Sequence, residues 1–331
     1  MTIRRFISVL ATAAITLGTA ATALAQEQST TIRIQDYPGT GNLLMKVARA
    51  KGFCADRGIT CELVVIPSGA GGSQALLAGS IEVGMLPTVG LAAAIAKGAP
   101  FVGISGSMVR SVIVMAVSND VAAADQNATM KNLEGGKIGV SARGTPGEFV
   151  AKMLLKDAGV DPESAAYIAV GGPSTAYLSL TSGQVDAVLS WAPIQAICEV
   201  LETCKIAWSQ ADSPEPAILT LDRGANNLLV VTRAYAQDNP QVVEAIRAAA
   251  KDAESWLQDP ANFEELVAIV RQDFEIQLER GDEILEQAVR NALPGYKTGF
   301  DPEGVKGAAQ FAATLKMADR VVEYDEMILA E

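Results

Sequence analysis

The sequence predicts an α/β protein made of two similar lobes, and three observations support this fold class. Short apolar runs alternate with stretches of helical periodicity, which is typical of a mostly parallel sheet flanked by helices. The alternation breaks at a polar segment, VAAADQNATMKNLEGG, and then starts again. The length of 331 residues also suits two domains better than one.

The first 25 residues are predicted to be a cleaved secretory signal peptide. Arg4 and Arg5 give a positive start, an apolar stretch rich in Ala and Thr follows, and ALA at positions 23–25 has the small-x-small pattern of a cleavage site. The alternative is an N-terminal membrane anchor, for which this apolar stretch is short. We therefore expect an exported, periplasmic protein.

The predicted elements follow in a regular order. In the first lobe the strands are TIRIQD, TCELVVIP, IEVGML and FVGISGS, with the helices GNLLMKVARAKGF, GGSQALLAGS and TVGLAAAIAKG between them. In the second lobe the strands KIGVSA, AAYIAV and VDAVLSW alternate with the helices TPGEFVAKMLLKDAG and STAYLSLTSG. The chain returns near AILTLDRGANNLLVVT, and long helices follow, two of which begin at Asn239-Pro240 and Asp259-Pro260.

The four cysteines form two close pairs, Cys54 with Cys61 and Cys198 with Cys204. In an oxidising compartment this spacing favours two local disulfides, although four cysteines allow three pairings. Each short loop would contribute roughly 2–2.5 kcal/mol by the loop-entropy relation. Because the chain contains no histidine and no C-x-x-C motif, we expect no metal site.

The composition argues against several classes of function. A formal net charge of −12 gives no general attraction for nucleic acid or anionic membranes. Without histidine the usual catalytic triads are excluded, and no G-x-S-x-G motif is present. We therefore expect neither an enzyme nor a bound cofactor.

Small, hydroxyl-bearing and glycine-rich segments follow the predicted strands, where open α/β sheets bind ligands. SGAGGS, residues 68–73, is either a tight turn or a cradle for an anion at a helix N-terminus. Tyr37 and Trp191 follow strands and are interpreted as either core residues or site residues. Arg143, at the start of a helix that is already electropositive, is either a solvated charge or the partner of an anion from outside the chain.

Three stretches resemble the periplasmic solute-binding proteins of the nitrate, sulfonate and taurine type, which serve ABC importers. ALLAGSIEVGML and LEGGKIGV match phrases typical of this class, and YLSLTSGQVDAVLSWAPIQA matches a third part. The resemblance covers most of the chain, from about Thr31 to Tyr324.

The resemblance implies a two-lobed periplasmic-binding-protein fold (type II), in which each lobe is a mostly parallel sheet flanked by helices and two crossing strands form the hinge. Residues 26–118 and 221–331 are expected to form lobe 1, and residues 119–220 lobe 2. On matching positions, the expected ligand-binding residues are Tyr37, Ser68, Gly69, Thr88, Arg143, Gly144, Thr145 and Trp191.

The implied function is to trap a small ligand between the lobes and deliver it, as a monomer, to an ABC permease and its ATPase. Many relatives carry an acid between the Trp and Pro that follow the last strand, whereas this chain has Ala192. Together with Arg143, this favours a plain organic anion, a sulfonate or a carboxylate, whose planar body could stack on Tyr37 or Trp191. The alternatives are a periplasmic sensor that presents its ligand to a non-transport receptor, and binding of a pyrimidine-type vitamin precursor.

Overall fold

The structure is a computed structural model that describes residues 29–330, so the predicted signal peptide lies outside the described residues. The described part of the chain contains strands that belong to two sheets. They are β1 (Thr30–Asp36), β2 (Ile59–Val65), β3 (Gly84–Pro87), β4 (Phe101–Met108), β5 (Val114–Ser118), β6 (Lys137–Val140), β7 (Ala166–Ala169), β8 (Ala187–Ser190), β9 (Cys204–Ser209) and β10 (Asn227–Thr232).

Helices connect and cover these strands. They are α1 (Leu43–Ala50), α2 (Gly69–Leu77), α3 (Thr88–Ala96), α4 (Gln126–Lys131), α5 (Pro146–Asp157), α6 (Pro173–Thr181), α7 (Ile194–Leu201), α8 (Arg233–Asp238), α9 (Pro240–Leu257), α10 (Phe263–Asp273), α11 (Gly281–Ala292), α12 (Pro302–Thr314) and α13 (Tyr324–Met327). No helix within residues 29–330 is long and apolar enough to cross a membrane.

The two sheets have the same plan. In the first, β2 and β1 are parallel, a parallel bridge from Ile34 to Val83 joins β1 to β3, and β10 runs antiparallel between β3 and β4. In the second, the order is β7-β6-β8-β5-β9, and β5 is the antiparallel strand. Each sheet thus has three parallel strands on one side and a crossing strand next to the edge, which confirms the expected fold class.

The chain crosses between the sheets twice, through residues 109–113 and 210–226. Because β5 already pairs with β8 and β9, the chain enters the second sheet at Val114, ahead of the polar segment at residues 121–136 where the alternation breaks. That polar segment lies after the crossing and includes the short helix α4. The division into residues 26–118, 221–331 and 119–220 stays a prediction.

Two C-terminal helices contact the cores of both lobes. Leu285 and Val289 of α11 pack beneath the first sheet, whereas Ile284 packs with α6 and α7 of the second lobe. Phe311 of α12 belongs to the core of the second lobe. The segment after the second crossing therefore completes the first lobe and also packs against the second.

Both predicted disulfides are confirmed, since Cys54 is bonded to Cys61 and Cys198 to Cys204. In the first lobe the bond joins the end of the α1 region to β2, and in the second it joins α7 to β9. Each bond thus fixes a helix to the strand that follows it.

Candidate functional site

The loops after β1, β2 and β3 meet at one edge of the first sheet. The hydroxyl of Tyr37, after β1, donates to the carbonyl oxygen of Met85 in β3 at 3.1 Å. Gly69, after β2, lies so close to Pro87 that a Cβ atom there would be 2.6 Å from the proline Cδ and 3.9 Å from the Tyr37 hydroxyl. The structure therefore brings together Tyr37, Gly69 and Thr88, which directly follows Pro87.

The side chain of Gln35 fixes these loops to one another. Its amide nitrogen donates to the carbonyl oxygens of Ile66 and Ser68 at 2.9 and 3.1 Å, and its amide oxygen accepts from the Met85 N–H at 3.1 Å. A fully buried amide with these bonds makes the loop edge rigid. The sequence analysis missed Gln35, although a lone amide near the end of the apolar strand TIRIQD was a usable signal.

Helices α2 and α3 begin at this edge, and their first turns differ. Ser68 caps α2, because its hydroxyl accepts from the Gly71 N–H at 3.1 Å. Thr88 is the first residue of α3 and is fully buried, and its hydroxyl has no hydrogen-bond partner among the described residues. The α3 end also lacks a capping side chain, because Pro87 occupies the N-cap position. Free polar groups therefore remain at the start of α3.

A buried ion pair lies beneath the first loop. Asp36 ends β1, and its carboxylate accepts from the ammonium group of Lys46 on α1. Burial raises the pKa of Asp36 above its ordinary value, and attraction by Lys46 opposes this rise. The sequence analysis missed this pair too, and a lysine within the apolar stretch LLMKVA was the available signal.

In the second lobe, Arg143 lies in the loop between β6 and α5. Its guanidinium contacts the carboxylate of Glu148 twice, with Nε to Oε2 at 2.8 Å and Nη2 to Oε1 at 3.2 Å. Its Nη1 donates to the carbonyl oxygen of Tyr167 at 3.0 Å. The backbone N–H of Gly144 also donates to Glu148 Oε2, at 2.8 Å.

These contacts show that the charge of Arg143 is paired within the chain. Its partner in this structure is Glu148, an acid in the first turn of the same helix, so an anion from outside the chain would share the guanidinium with this carboxylate. Hydrogen bonding from Arg143 lowers the pKa of Glu148 to about 2, so this carboxylate stays ionised. The Arg143 side chain is nevertheless 59% exposed, so it faces solvent beside the start of α5.

The rest of the α5 entry is small and open. Gly144 has a φ of +73°, a conformation that glycine adopts without strain. The hydroxyl of Thr145 donates to the Ala142 carbonyl oxygen at 2.8 Å instead of capping the helix. Arg143, Gly144 and Thr145 are thus grouped at one helix end, and their contact with a ligand stays a prediction.

Trp191 is not a core residue. It is 36% exposed and directly follows the buried Ser190 at the end of β8, whereas Trp208 is the large side chain in the core of this lobe. Gly147 of α5 lies next to β8, since a Cβ atom there would be 3.4 Å from Leu189 Cδ2. Trp191 and the α5 entry therefore belong to the same edge of the second sheet.

Buried polar atoms without hydrogen-bond partners gather at the carboxyl ends of strands. Within residues 29–330, every such side-chain atom lies in the last two residues of a strand or in the loop or helix start that follows. They are Asp36 Oδ1, Asn42 Oδ1, Thr88 Oγ1, Ser107 Oγ and Ser190 Oγ. Native interiors rarely leave such groups unpaired, and strand carboxyl ends are where α/β sheets bind ligands.

A cavity of about 250 Å³ lies between the lobes, next to both crossings. We call it the hinge recess. Its walls are Met108, Arg110, Ser111, Val112, Ala192, Pro193, Gln195, Ala196, Ser209, Ala211, Asp212, Ala288, Arg290, Asn291, Ala292, Pro294 and Gly295. None of the eight predicted ligand residues lines it, although Ala192 directly follows Trp191.

No group of three or more Cys, Asp or Glu side chains that could hold a metal ion occurs within the described residues.

A comparison with protein families matches this architecture. The model of a family described as NMT1/THI5 like matches residues 42–262, which is more than half of the chain. The chain belongs to the NMT1/THI5-like family. The matched segment includes the three parallel strands of each sheet except β1, together with both crossings.

The chain is also similar in sequence to binding proteins of Brucella species. A candidate binding protein of Brucella abortus is 26% identical over 226 residues, which are 67% of this chain and 65% of that protein, so the match spans less than two thirds of the relative. Proteins of Brucella suis and Brucella melitensis match equally well.

Two solved structures show the fold. The periplasmic aliphatic sulphonate binding protein SsuA of Escherichia coli superposes with a TM-score of 0.72 at 17% identity, covering 91% of this chain and 92% of that one. The periplasmic nitrate-binding protein NrtA of Synechocystis PCC 6803 gives a TM-score of 0.63 at 16% identity, covering 90% and 83%. The expected periplasmic-binding-protein fold is confirmed by this likeness.

Proposed function

We propose that this protein is the extracytoplasmic binding component of an ABC importer, which traps a small organic anion between its lobes and delivers it to a membrane permease. The observation that carries the proposal is the position of the unpaired buried groups. They occur at strand ends in both lobes, at Thr88 and Ser107 in the first and at Ser190 in the second. A ligand held between the lobes would approach both sets.

An organic anion fits the chemistry of the two edges. The first lobe offers the open start of α3 with the Thr88 hydroxyl, and the second offers the start of α5 with Arg143, Gly144 and Thr145. Helix N-termini favour negative charge through their free N–H groups. The relatives named for sulphonate and nitrate share this fold, which supports an anion without identifying it.

Delivery to a permease requires a difference in shape between loaded and empty protein. The two crossings at residues 109–113 and 210–226 form the hinge about which the lobes would close. We propose that the loaded protein acts as a monomer in the periplasm, after removal of residues 1–25, and that it presents both lobes to the permease. No catalytic step is needed for this role.

A thermal-shift screen tests binding directly. A ligand that binds only the folded state raises the melting temperature in proportion to the logarithm of its concentration. The screen uses alkyl and aryl sulfonates, carboxylates, nitrate and aminopyrimidines. We expect stabilisation by one of the organic acids. Stabilisation by aminopyrimidines alone would move the ligand to the vitamin-precursor class, and no response to any probe would overturn the proposal.

Import and sensing differ in what the cell does with the ligand. With the organic acid identified by the screen as a labelled probe, deletion of the gene is expected to abolish uptake. Normal uptake together with loss of a transcriptional response to the same acid would instead show a sensor.

A further inference from the structure

The hinge recess lies on the ligand side of both sheets. Met108 is the last residue of β4 and Ser209 is the last residue of β9, while Ala192 follows β8 by two residues. The recess is thus bounded by strand carboxyl ends from both lobes, and α11 closes it from the outside. In α/β sheets this edge is where ligands bind.

The walls of the recess are mainly apolar. Ten of its seventeen wall residues are aliphatic, proline, methionine or glycine, namely Met108, Val112, Ala192, Pro193, Ala196, Ala211, Ala288, Ala292, Pro294 and Gly295. The other seven wall residues are polar or charged, and the apolar majority is the part that would contact the body of an organic molecule.

The polar side chains of the walls already have partners in the chain. Gln195 and Asn291 both donate to the carboxylate of Glu199, at 2.8 Å each. The Ser111 hydroxyl donates to Gln210 Oε1 at 2.7 Å, and the Ser209 hydroxyl donates to Asp212 at 3.0 Å. These walls therefore do not require a polar group from a ligand.

The charges of the walls are balanced as well. Arg110 forms an ion pair with Asp212, which links the two crossings. Arg290 pairs with Glu286 at 2.9 Å, and its guanidinium lies 4.3 Å from the centre of the Phe263 ring. The charged groups of the recess are therefore paired within the chain, as Arg143 is at the α5 entry.

The recess borders the sheet edge to which the α5 entry also belongs. Strands β6 and β8 are hydrogen-bonded neighbours, so their carboxyl ends lie about 4.8 Å apart. Arg143 follows β6, and Trp191 and Ala192 follow β8. Trp191 directly precedes Ala192, which lines the recess, so a molecule held against Trp191 would adjoin the recess.

We propose that the hinge recess receives the apolar body of the ligand, so that the protein selects a compact, one-ring organic acid over an inorganic oxyanion. This inference rests on the proposed function. The volume of about 250 Å³ is just below the usual range for organic ligands of about 300–1,000 Å³, which limits the body to a small group. Ala192 and Ala288 both line the recess, so a larger side chain at either position would reduce its volume.

Calorimetric titration of the purified protein tests the proposal with defined probes. Benzoate and benzenesulfonate carry a one-ring body, nitrate and acetate have little or none, and 2-naphthoate exceeds the recess. We expect the one-ring acids to bind at least tenfold more tightly than acetate and nitrate, and 2-naphthoate to bind at least tenfold more weakly than benzoate. Nitrate binding as tight as that of benzoate would overturn the proposal, whatever the behaviour of any variant.

A matched pair of variants tests whether the apolar body of the ligand occupies the hinge recess. Ala192→Leu narrows the recess and is expected to weaken benzoate or benzenesulfonate binding at least tenfold, while Ala261→Leu, at an exposed alanine outside the recess, leaves it unchanged. Equal binding by Ala192→Leu and the wild type would overturn the recess assignment and leave the proposed function standing. If no probe of the screen binds the wild type, the proposed function and this inference are both overturned.

Discussion

Each lobe has an ion pair between the end of its middle parallel strand and the helix that follows. The positions of the acid and the base are exchanged between the lobes, and the two pairs differ in how exposed they are. β1 and β6 each lie between the two other parallel strands of their sheet. In the first lobe the acid, Asp36, ends the strand and the base, Lys46, lies on the next helix. In the second lobe the base, Arg143, follows the strand and the acid, Glu148, lies on the next helix.

The difference in burial separates two roles. The side chains of Lys46 and Asp36 are 1% and 3% exposed, so their pair belongs to the interior of the first lobe. In the second lobe the carboxylate is 9% exposed and the guanidinium 59%. We infer that the first lobe contributes a neutral, rigid edge of hydroxyl and N–H groups, whereas the second contributes the charge.

The largest expected effect comes from breaking the buried pair. Lys46→Met leaves Asp36 without its counter-ion, and we expect a loss of about 3–5 kcal/mol in the free energy of unfolding at pH 7. Lys51→Met is the control, because Lys51 pairs with the exposed Glu265 and its removal should cost less than about 1 kcal/mol. Urea denaturation measures both, and equal losses would contradict a structural role for the Lys46 pair.

The crossings between the lobes should make stability depend on pH. Asp222, in the second crossing, is 5% exposed, accepts from Gln210 at 3.0 Å, and has its pKa raised by burial to about 6 from an ordinary value of 3.8. Because the unfolded chain ionises first, its contribution to stability is full below about pH 4 and is lost as pH rises through about 6.

Asp222→Asn removes this penalty and keeps the acceptor for Gln210. We expect it to raise the free energy of unfolding at pH 7.5 by up to about 3 kcal/mol relative to the wild type, and to have little effect at pH 4. Asp238→Asn, at an exposed position, serves as the control. A gain that is the same at both pH values would contradict the assigned titration.

Removal of the disulfide is expected to reduce the free energy of unfolding by a similar amount in either lobe. Replacing Cys54 and Cys61 by serine, or Cys198 and Cys204, opens a short loop in one lobe, and each change should cost roughly 2 kcal/mol. Denaturation of the two double variants measures this. A cost confined to one of them would show that the other lobe owes its stability to packing alone.

Substitution of Arg143 is expected to change the free energy of unfolding least, while clearly weakening ligand binding. Arg143→Ala should weaken binding of benzoate or benzenesulfonate at least tenfold, about 1.4 kcal/mol, and should change the free energy of unfolding by less than about 1 kcal/mol, because the guanidinium is exposed. Arg143→Lys keeps the charge and should recover part of the affinity. An unchanged dissociation constant for Arg143→Ala would remove this residue from the site.

The fold could be predicted from the sequence because it depends on patterns that are local. Apolar runs and the glycine-rich segments after them mark strands and helix starts, and both cysteine pairs are close in the chain. The crossing at residues 109–113 has no mark in the sequence, because β4 and β5 lie in one largely apolar stretch and the change in composition follows β5.

The candidate site was harder to predict, because its details depend on contacts across the chain. The Arg143–Glu148 pair is the exception, because its two residues are only five positions apart and the sequence contains its signal. Gln35 and Lys46 are polar residues within apolar stretches, which marks them as unusual in the sequence. The contacts of Gln35 with the other loops, and the hinge recess, join segments that only the folded chain brings together.

The central claim is that one ligand is held by both lobes, and calorimetric titration of two variants tests it most directly. Thr88→Val removes an unpaired buried hydroxyl in the first lobe without changing its volume, and Arg143→Gln removes the exposed charge in the second. With benzoate and benzenesulfonate as probes, we predict one ligand per chain and weaker binding by both variants, with the stability of Thr88→Val maintained. Wild-type affinity in either variant would contradict a site that both lobes share.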